Sequence, residues 1–596
     1  MNNLYRNFTK CLIVIFFIIL GFQAAAQKPS RAGSPAGKRS WFELMQDPDS
    51  RFQDVQKAFY KYWEKRLKIK EKEAEETGET EEEGTEESEG EGYQVFKRWE
   101  YINKHRVLPD GRLQAPGYVK SVYDKYMAEL DATSSAAGNW VSLGPTAYVG
   151  NTSGQPTGMG RLNAIAFHPT DANTIYVGAP SGGFWKTTSL NGNSTVWTNL
   201  SNNLPTLGVS SILVHPSNPN IIYLGTGDRD AANAPGIGVY KSTDGGATWS
   251  QVSAGMGNVT VGAMVMLPSD PNTILAATSA GIYKTTNGGT SWSQKQSGDF
   301  KDIKFKPGDP TVVYAARSIT PAEFYRSTNT GDAWTKNTSL PSGTGSRSVI
   351  GVSPADPSYV YLVLTKSDNT FLSLYRSTDY GVNFTAMAAS PPNILSSNCD
   401  GTGTTTQATY DLCIAVDPSN INTVYVGGVD IWKSTDGGAT WAIKAIWAGT
   451  CSGTAFPVHA DHHVFEWSPL DGRLYNGNDG GLYYTANGGT TFTELTGGLA
   501  ITQVYKFGQG VSNVNYCIFG CQDNGCGATM TGTSFTTVSG GDGGECEIDY
   551  ANTNYCYDTY VSGSIRRSTT GPMGSYSQIG GNGVNGIDES ADWIMP

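Results

Sequence analysis

The residues best placed to do chemistry lie in the C-terminal quarter of the chain. Three of its six histidines fall in one run, His459-Ala460-Asp461-His462-His463. On an extended strand, His459, Asp461 and His463 share one face and His462 takes the other. Two imidazoles and a carboxylate on one face suit metal ligation or acid–base work. They suit equally a hydrogen-bonded cluster lining a channel, and that is the preferred reading. Three glycine-flanked acidic turns follow: Asn478-Asp479-Gly480-Gly481, Gln522-Asp523-Asn524-Gly525 and Gly541-Asp542-Gly543-Gly544-Glu545. Glycine lets a ligand approach the backbone, and these carboxylates and amides suit sugar hydroxyls or calcium. The plainer alternative is three tight turns whose aspartates satisfy backbone donors. Asp461, Asp479, Asp523 and Asp542 are therefore the candidate catalytic carboxylates. His459, His462, His463, Gln522, Asn524 and Glu545 are the candidate ligand-binding residues. A spaced Asp-Xaa-Asp-Xaa-Asp-Gly loop is absent, so calcium has only weak support. No cofactor is indicated, and the identity of any metal stays open.

These residues must be positioned by a repeating scaffold. Six segments share a Ser or Thr, an Asp or Asn two positions on, a Gly two further, and an aromatic three after that: Ser242–Trp249, Thr285–Trp292, Ser327–Trp334, Ser377–Phe384, Ser434–Trp441 and Thr485–Phe492. Their starts are 43, 42, 50, 57 and 51 residues apart. Upstream of each runs an apolar strand ending near a proline, followed seven positions later by Tyr or Leu, as in Pro169 to Tyr176 and Pro418 to Tyr425, with Pro469 to Tyr475 one residue shorter. Four strands per unit account for the spacing, which predicts β-propeller blades. Asp244, Asn287, Asn329, Asp379, Asp436 and Asn487 in the repeated turns are scaffold, because one active site is not copied six times around a ring. Inner strands are expected near Ile165, Ile212, Val265, Ile303, Ile350, Ile414, Val464, Phe507 and Ile548, with a tenth opening at Trp593.

The composition agrees. There are 72 glycines among 596 residues, and charged residues make up only 16%, a balance that suits short strands and tight turns better than helices. The formal charge of -12 is local, since residues 71–92 hold twelve glutamates and one lysine. That stretch reads as a solvated, disordered linker. The remainder is nearly neutral and offers no basic field for nucleic acid. At the N-terminus, Arg6 and Lys10, the apolar run Leu12–Leu20 and Ala24-Ala25-Ala26 read as a signal peptide over residues 1–26. Export to the cell surface or medium is the expectation, with no membrane span. Phe52, Val55, Phe59 and Tyr62, and then Val119, Val122, Tyr123, Tyr126 and Met127, recur at helical spacing. They predict a helical segment over 27–70 and another over 93–138, with the propeller from 139 to 596. Export leaves eight cysteines for an oxidising compartment, so disulfides are expected, and Cys521 with Cys526 would pin the loop between them.

The repeated turns resemble Asp-boxes (BNR repeats). Their arrangement is similar to the sortilin/Vps10-type propeller and to the related propellers of xyloglucanase-type glycoside hydrolases. Phe96-Lys97-Arg98-Trp99-Glu100 and Pro109-Asp110-Gly111-Arg112 resemble the front end of large bacterial type IX secretion cargo. The resemblance implies an all-β propeller of about ten blades, or alternatively two seven-bladed rings, with the last residues reading as the start of a further unit. It also implies a glycan- or protein-binding module. Xyloglucanase-type enzymes carry a catalytic Asp in a Thr-Asp-Val/Ile-Gly-Gly segment, and the corresponding stretch here is Ala179-Pro180-Ser181-Gly182-Gly183. The missing carboxylate favours a non-catalytic binding module with a polysaccharide, protein or peptide partner. Glycoside hydrolysis is the alternative.

Overall fold

In the computed structural model, the described residues are 40–47, 49–77, 92–115, 117–129, 141–151, 156–202, 204–318, 322–341, 345–387, 391–404, 406–447, 455–560 and 563–580. All of them belong to one compact unit, Ser40–Pro596. The expected signal peptide and the start of a tenth unit lie outside the described residues.

Among the described residues four helices lead the unit: α1 (Trp41–Gln46), α2 (Phe52–Thr77), α3 (Tyr93–Asn103) and α4 (Tyr118–Glu129). A capping box starts α1, where Glu43 N donates to Ser40 Oγ (3.2 Å) and Ser40 N donates to Glu43 Oε2 (2.8 Å). The predicted stripe on α2 is the buried one: Phe59 stacks on Phe96 of α3 at 3.8 Å, and Phe52 stacks on Trp99 at 5.2 Å. Helix α2 runs through the first seven residues of the acidic stretch, to Thr77. The rest of that stretch up to Glu91 lies outside the described residues.

Among the described residues nine sheets follow, in which consecutive strands pair antiparallel, except that blade 6 adds Phe456–Pro457 parallel to Ala442–Ile446. They are blades 1 to 9, over 164–199, 209–251, 261–297, 300–336, 348–387, 413–457, 462–494, 504–539 and 543–580. Each of the nine predicted inner-strand residues falls in the first strand of its blade. The repeated turn joins the third and fourth strands. In blade 6, Asp436 Oδ1 accepts from Ser434 Oγ (2.7 Å), Ala439 N (3.0 Å) and Thr440 N (2.9 Å). Asp244, Asn287, Asn329, Asp379 and Asn487 each accept from the backbone N–H four residues on in the same way. Gly438 takes φ +98, and a Cβ there would strike Leu374 of blade 5. Trp441 then packs in the core shared by blades 5 and 6. Two of the tyrosines after the proline hairpins bolt neighbours together: buried Tyr361 donates to Ile421 O of the next blade at 3.0 Å, and Tyr223 to Gly288 O at 3.2 Å.

The first seven blades close on themselves. The inner strand of blade 7 (His462–Trp467) packs against that of blade 1 (Ala164–Phe167). A channel of about 130 Å³ is lined by the inner strands of all seven, including Ile165, Ile212, Ile303 and Val464. Blades 8 and 9 pack on each other through their inner strands, Val504–Gln509 and Gly543–Ile548. Just ahead of blade 1, Tyr148–Asn151 adds a parallel outer strand to blade 8, with Tyr148 opposite Phe535. The multi-bladed all-β architecture is as expected, but closure after seven blades replaces the ten-bladed ring and agrees with the shorter-ring alternative. The reason is physical: the angle between blades is set by the side chains packed between sheets, while the repeat encodes only the blade itself.

Candidate functional site

The helices sit over one end of the seven-bladed ring. Ala231 of blade 2 and Tyr410, just ahead of blade 6, are built into the same core as Phe59, Phe96 and Trp99. Phe42 of α1 lies 4.5 Å from Lys301 Nζ on the channel wall. Burial, together with the Arg347 charge, pushes Lys301 down to about 8.

Under this cap lies a buried ionic network. Its hub is Asp230, on the long loop of blade 2 between Ile222–Thr226 and Val239–Ser242. Arg347 Nη2 stands 2.9 Å from Asp230 Oδ1 as an ion pair, while His463 Nδ1 lies 3.1 Å and Arg229 Nε 3.4 Å from Oδ2. Burial would raise the Asp230 carboxyl, but Arg347, Arg229 and His463 outweigh it and hold the group well below its usual range. The other ring nitrogen of His463 is 2.8 Å from Asp479 Oδ1. One imidazole thus spans two buried carboxylates, Asp230 on blade 2 and Asp479 on blade 7. Asp479 is likewise held low, because His463 and Arg161 overcome its burial. Arg161 itself bonds Asp228 at 2.6 Å.

Tyr410 carries the network toward blades 8 and 9. Its hydroxyl is 2.5 Å from Asp479 Oδ2 and 3.4 Å from Asp523 Oδ2. Arg98 Nη2 of α3 donates to Asp523 Oδ1 (3.0 Å) and to Asp542 Oδ2 (2.9 Å). Burial pushes the Asp523 carboxyl well above its usual range; Arg98 opposes this, while Asp542 and Asp479 add to it. Asp523 also adopts φ +57, a left-handed backbone that costs energy in a non-glycine residue. Gln522 Nε2 donates to Asp523 Oδ2 at 2.9 Å, and Asn524 Nδ2 donates to Asp479 O at 3.1 Å. Gly158 completes the packing, since a Cβ there would strike Asn524 Oδ1.

The structure thus brings together Asp479, Asp523, Asp542, His463, Gln522 and Asn524. His459 joins them by packing on the Asp479-Gly480 turn, where a Cβ on Gly480 would strike it, whereas Asp461, His462 and Glu545 go elsewhere. The strand begins only at His462, so the expected shared face of His459, Asp461 and His463 does not form. Asp461 sits in a turn at φ +65 and accepts from Gln407 Nε2 at 2.7 Å. His459 faces Ala460 O, and burial lowers its imidazole. His462 bonds Asn476 Oδ1 at 2.8 Å, and burial takes it down to about 3. Glu545 pairs with Lys506 at 2.9 Å. Cys521 and Cys526 are thiols with no bridge between them, because the Cys526 sulfur turns to Cys546, at 3.7 Å. Among the described residues, no group of three or more His, Cys, Asp or Glu is arranged to hold a metal ion.

Sequence reasoning missed Arg98, Arg161, Asp228, Asp230, Arg347 and Tyr410. The one available signal was Asp228-Arg229-Asp230, three charged residues in the hairpin of blade 2, which is longer than the corresponding hairpins of the other blades. Equally unforeseen is a cleft of about 180 Å³ between the helices and blades 2 and 3. Trp99, Asn103, Arg106, Leu113, Pro205 and Pro235 line it. The side-chain Nε2 of Gln46, Oγ of Ser50 and Oδ1 of Asn233 are buried in its walls without a hydrogen-bond partner among the described residues.

Fold and site together define a multi-bladed β-propeller with a helical cap sealed onto it by ion pairs. No family model and no curated protein matches the sequence. Among solved structures, it is similar to the GH74 enzyme of Niastella koreensis, at 18% identity over 72% of this chain and 73% of that one, with a TM-score of 0.46. The GH74 xyloglucanase from Xanthomonas campestris is 15% identical over 72% and 75%, with a TM-score of 0.48. An ancestral GH74 enzyme is 18% identical over 71% of this chain and 63% of its own, with a TM-score of 0.52, and this last likeness supports the propeller fold. Among the described residues, no helix is long and apolar enough to cross a membrane.

Proposed function

We propose that this chain is an exported propeller that binds a glycan or protein ligand without catalysis. The observation that carries this reading is that Asp479, Asp523 and Asp542 are all spent on a buried network beneath α3. A glycosidase needs two carboxylates that flank a bound sugar, about 5–9.5 Å apart. Here Tyr410 bridges two of them and Arg98 neutralises the third. The ligand site in this reading is the cleft beside Trp99 and Arg106, where an aromatic wall and unspent amide and hydroxyl groups suit a polar, uncharged ligand. A space of 180 Å³ equals about six waters, room for one sugar ring or one side chain. The signal-peptide pattern supports export, and the xyloglucanase named among the similar structures directs the first tests to polysaccharide.

One observation favours the hydrolase alternative: Asp479 is held low and neighbouring Asp523 is pushed high, a separation that also marks base and acid in enzymes. A glycan array scored for both retention and cleavage separates the two readings. The full chain is compared with Asn103→Ala/Arg106→Ala and with Asp523→Asn, after circular dichroism shows each folded. Retention without cleavage, weakened by the cleft variant, supports the binding module. Cleavage abolished by Asp523→Asn overturns it. No glycan signal at all, with capture of a peptide instead, moves the ligand to protein.

A further inference from the structure

Blades 8 and 9 contain Cys517, Cys521, Cys526, Cys546 and Cys556, all buried thiols. Two of these meet across the joint between the blades. Cys526 opens one strand of blade 8 (Cys526–Thr529), Cys546 lies on the inner strand of blade 9, and their sulfurs are 3.7 Å apart. Both side chains are fully shielded, at 0% exposure. The backbones are held as well: Cys526 N donates to Ser539 Oγ at 3.2 Å, and a Cβ on Gly543 would press on the Cys526 sulfur at 2.7 Å. Elsewhere in the chain Cys399 is disulfide-bonded. Cys521, the partner suggested by sequence spacing, instead faces the Tyr148 hydroxyl.

We propose that Cys526 and Cys546 become a disulfide stapling blade 8 to blade 9. The oxidant is a disulfide, either a small molecule or a thiol–disulfide oxidoreductase. One protein thiolate attacks it and releases the first reduced thiol; the second thiolate then attacks the mixed disulfide and releases the other. Two protein S–H bonds and one S–S bond of the oxidant become one protein S–S bond and two S–H bonds, with two electrons passing to the oxidant. Contact with Cys526, and then burial, hold the Cys546 thiol well above its usual range, which keeps it protonated and slow once folded. The bond therefore forms before the two blades close over it. Its position has a consequence for the site. Cys526 lies three residues after Asp523 and Cys546 four after Asp542, so the staple sets the spacing of the two carboxylates that Arg98 bridges.

The test is a non-reducing peptide map of the full exported chain, with free thiols blocked at harvest, on material whose Cys399 bridge is intact. The expected result is a Cys526 peptide joined to a Cys546 peptide and separated by reductant. Alkylated Cys526 and Cys546, or Cys526 joined to Cys521, overturns the proposal. A Cys526→Ser/Cys546→Ser variant gives a second readout: reductant lowers the melting midpoint of the parent by several degrees more than that of the variant. Equal shifts overturn the staple. Neither readout depends on the ligand, so failure here is distinct from failure of the binding reading.

Discussion

Arg98 and Asp542 stand 444 residues apart in the chain, yet Arg98 Nη2 lies 2.9 Å from Asp542 Oδ2, with Asp523 at 3.0 Å from the same nitrogen. One guanidinium thus ties the helical cap to two different blades, with almost no solvent around it. Buried charge is costly to strand, and removing one partner of such a pair costs about 3–5 kcal/mol. Arg98→Met should lower stability by about that amount in denaturant unfolding. Arg98→Met/Asp523→Asn/Asp542→Asn should recover most of it, because no bare charge remains. Equal losses in the single and triple variants would show that the arginine matters through packing alone.

Acid should loosen the network from its carboxylates. The folded-state values of Asp230 and Asp479 lie below the ordinary 3.8. Their contribution is therefore present above about pH 4 and lost as pH falls through the lower folded values. Asp479→Asn should cost stability at neutral pH and flatten the acid limb of an unfolding-versus-pH curve. An unchanged acid limb would place the acid sensitivity elsewhere.

Asp430 should act with the opposite sign. It is 2% exposed, and burial pushes its carboxyl up to about 7, opposed by a hydrogen bond from Trp447 N. The folded state keeps this proton where the unfolded chain releases it. Stability is therefore greatest below the ordinary value and declines as pH rises until about 7, by up to roughly 4 kcal/mol. Asp430→Asn keeps the acceptor without the charge. It should raise stability at pH 8 and leave pH 4 nearly unchanged, as read by chemical denaturation at both values.

In the repeated turn, Asp and Asn should be interchangeable, whereas the aromatic should not. Asn287, Asn329 and Asn487 make the backbone bond that Asp436 makes. Asp436→Asn should leave the melting midpoint unchanged within a degree or so. Trp441→Ala, emptying a site 7% exposed between blades 5 and 6, should cost about 3–5 kcal/mol in denaturant unfolding.

The rhythm of this protein is written locally, and the sequence alone determined it. Strand, proline hairpin, buried tyrosine, polar turn and aromatic recur because each blade's own hydrogen bonds and turn geometry demand them within about 50 residues. So do the apolar steps along α2. His463 and the three glycine-flanked aspartates were also visible, as breaks in that rhythm. What they do was not visible. Asp228 meets Arg161 across 67 residues, His463 meets Asp230 across 233, and Asp542 meets Arg98 across 444. No local pattern links such partners; they are joined only because seven blades close into a ring and a helical cap comes down on its rim. Ring closure depends on the volumes packed between sheets, and a carboxylate's charge state depends on burial and on the cations beside it. Both are properties of the assembled chain, and tertiary structure alone decided them.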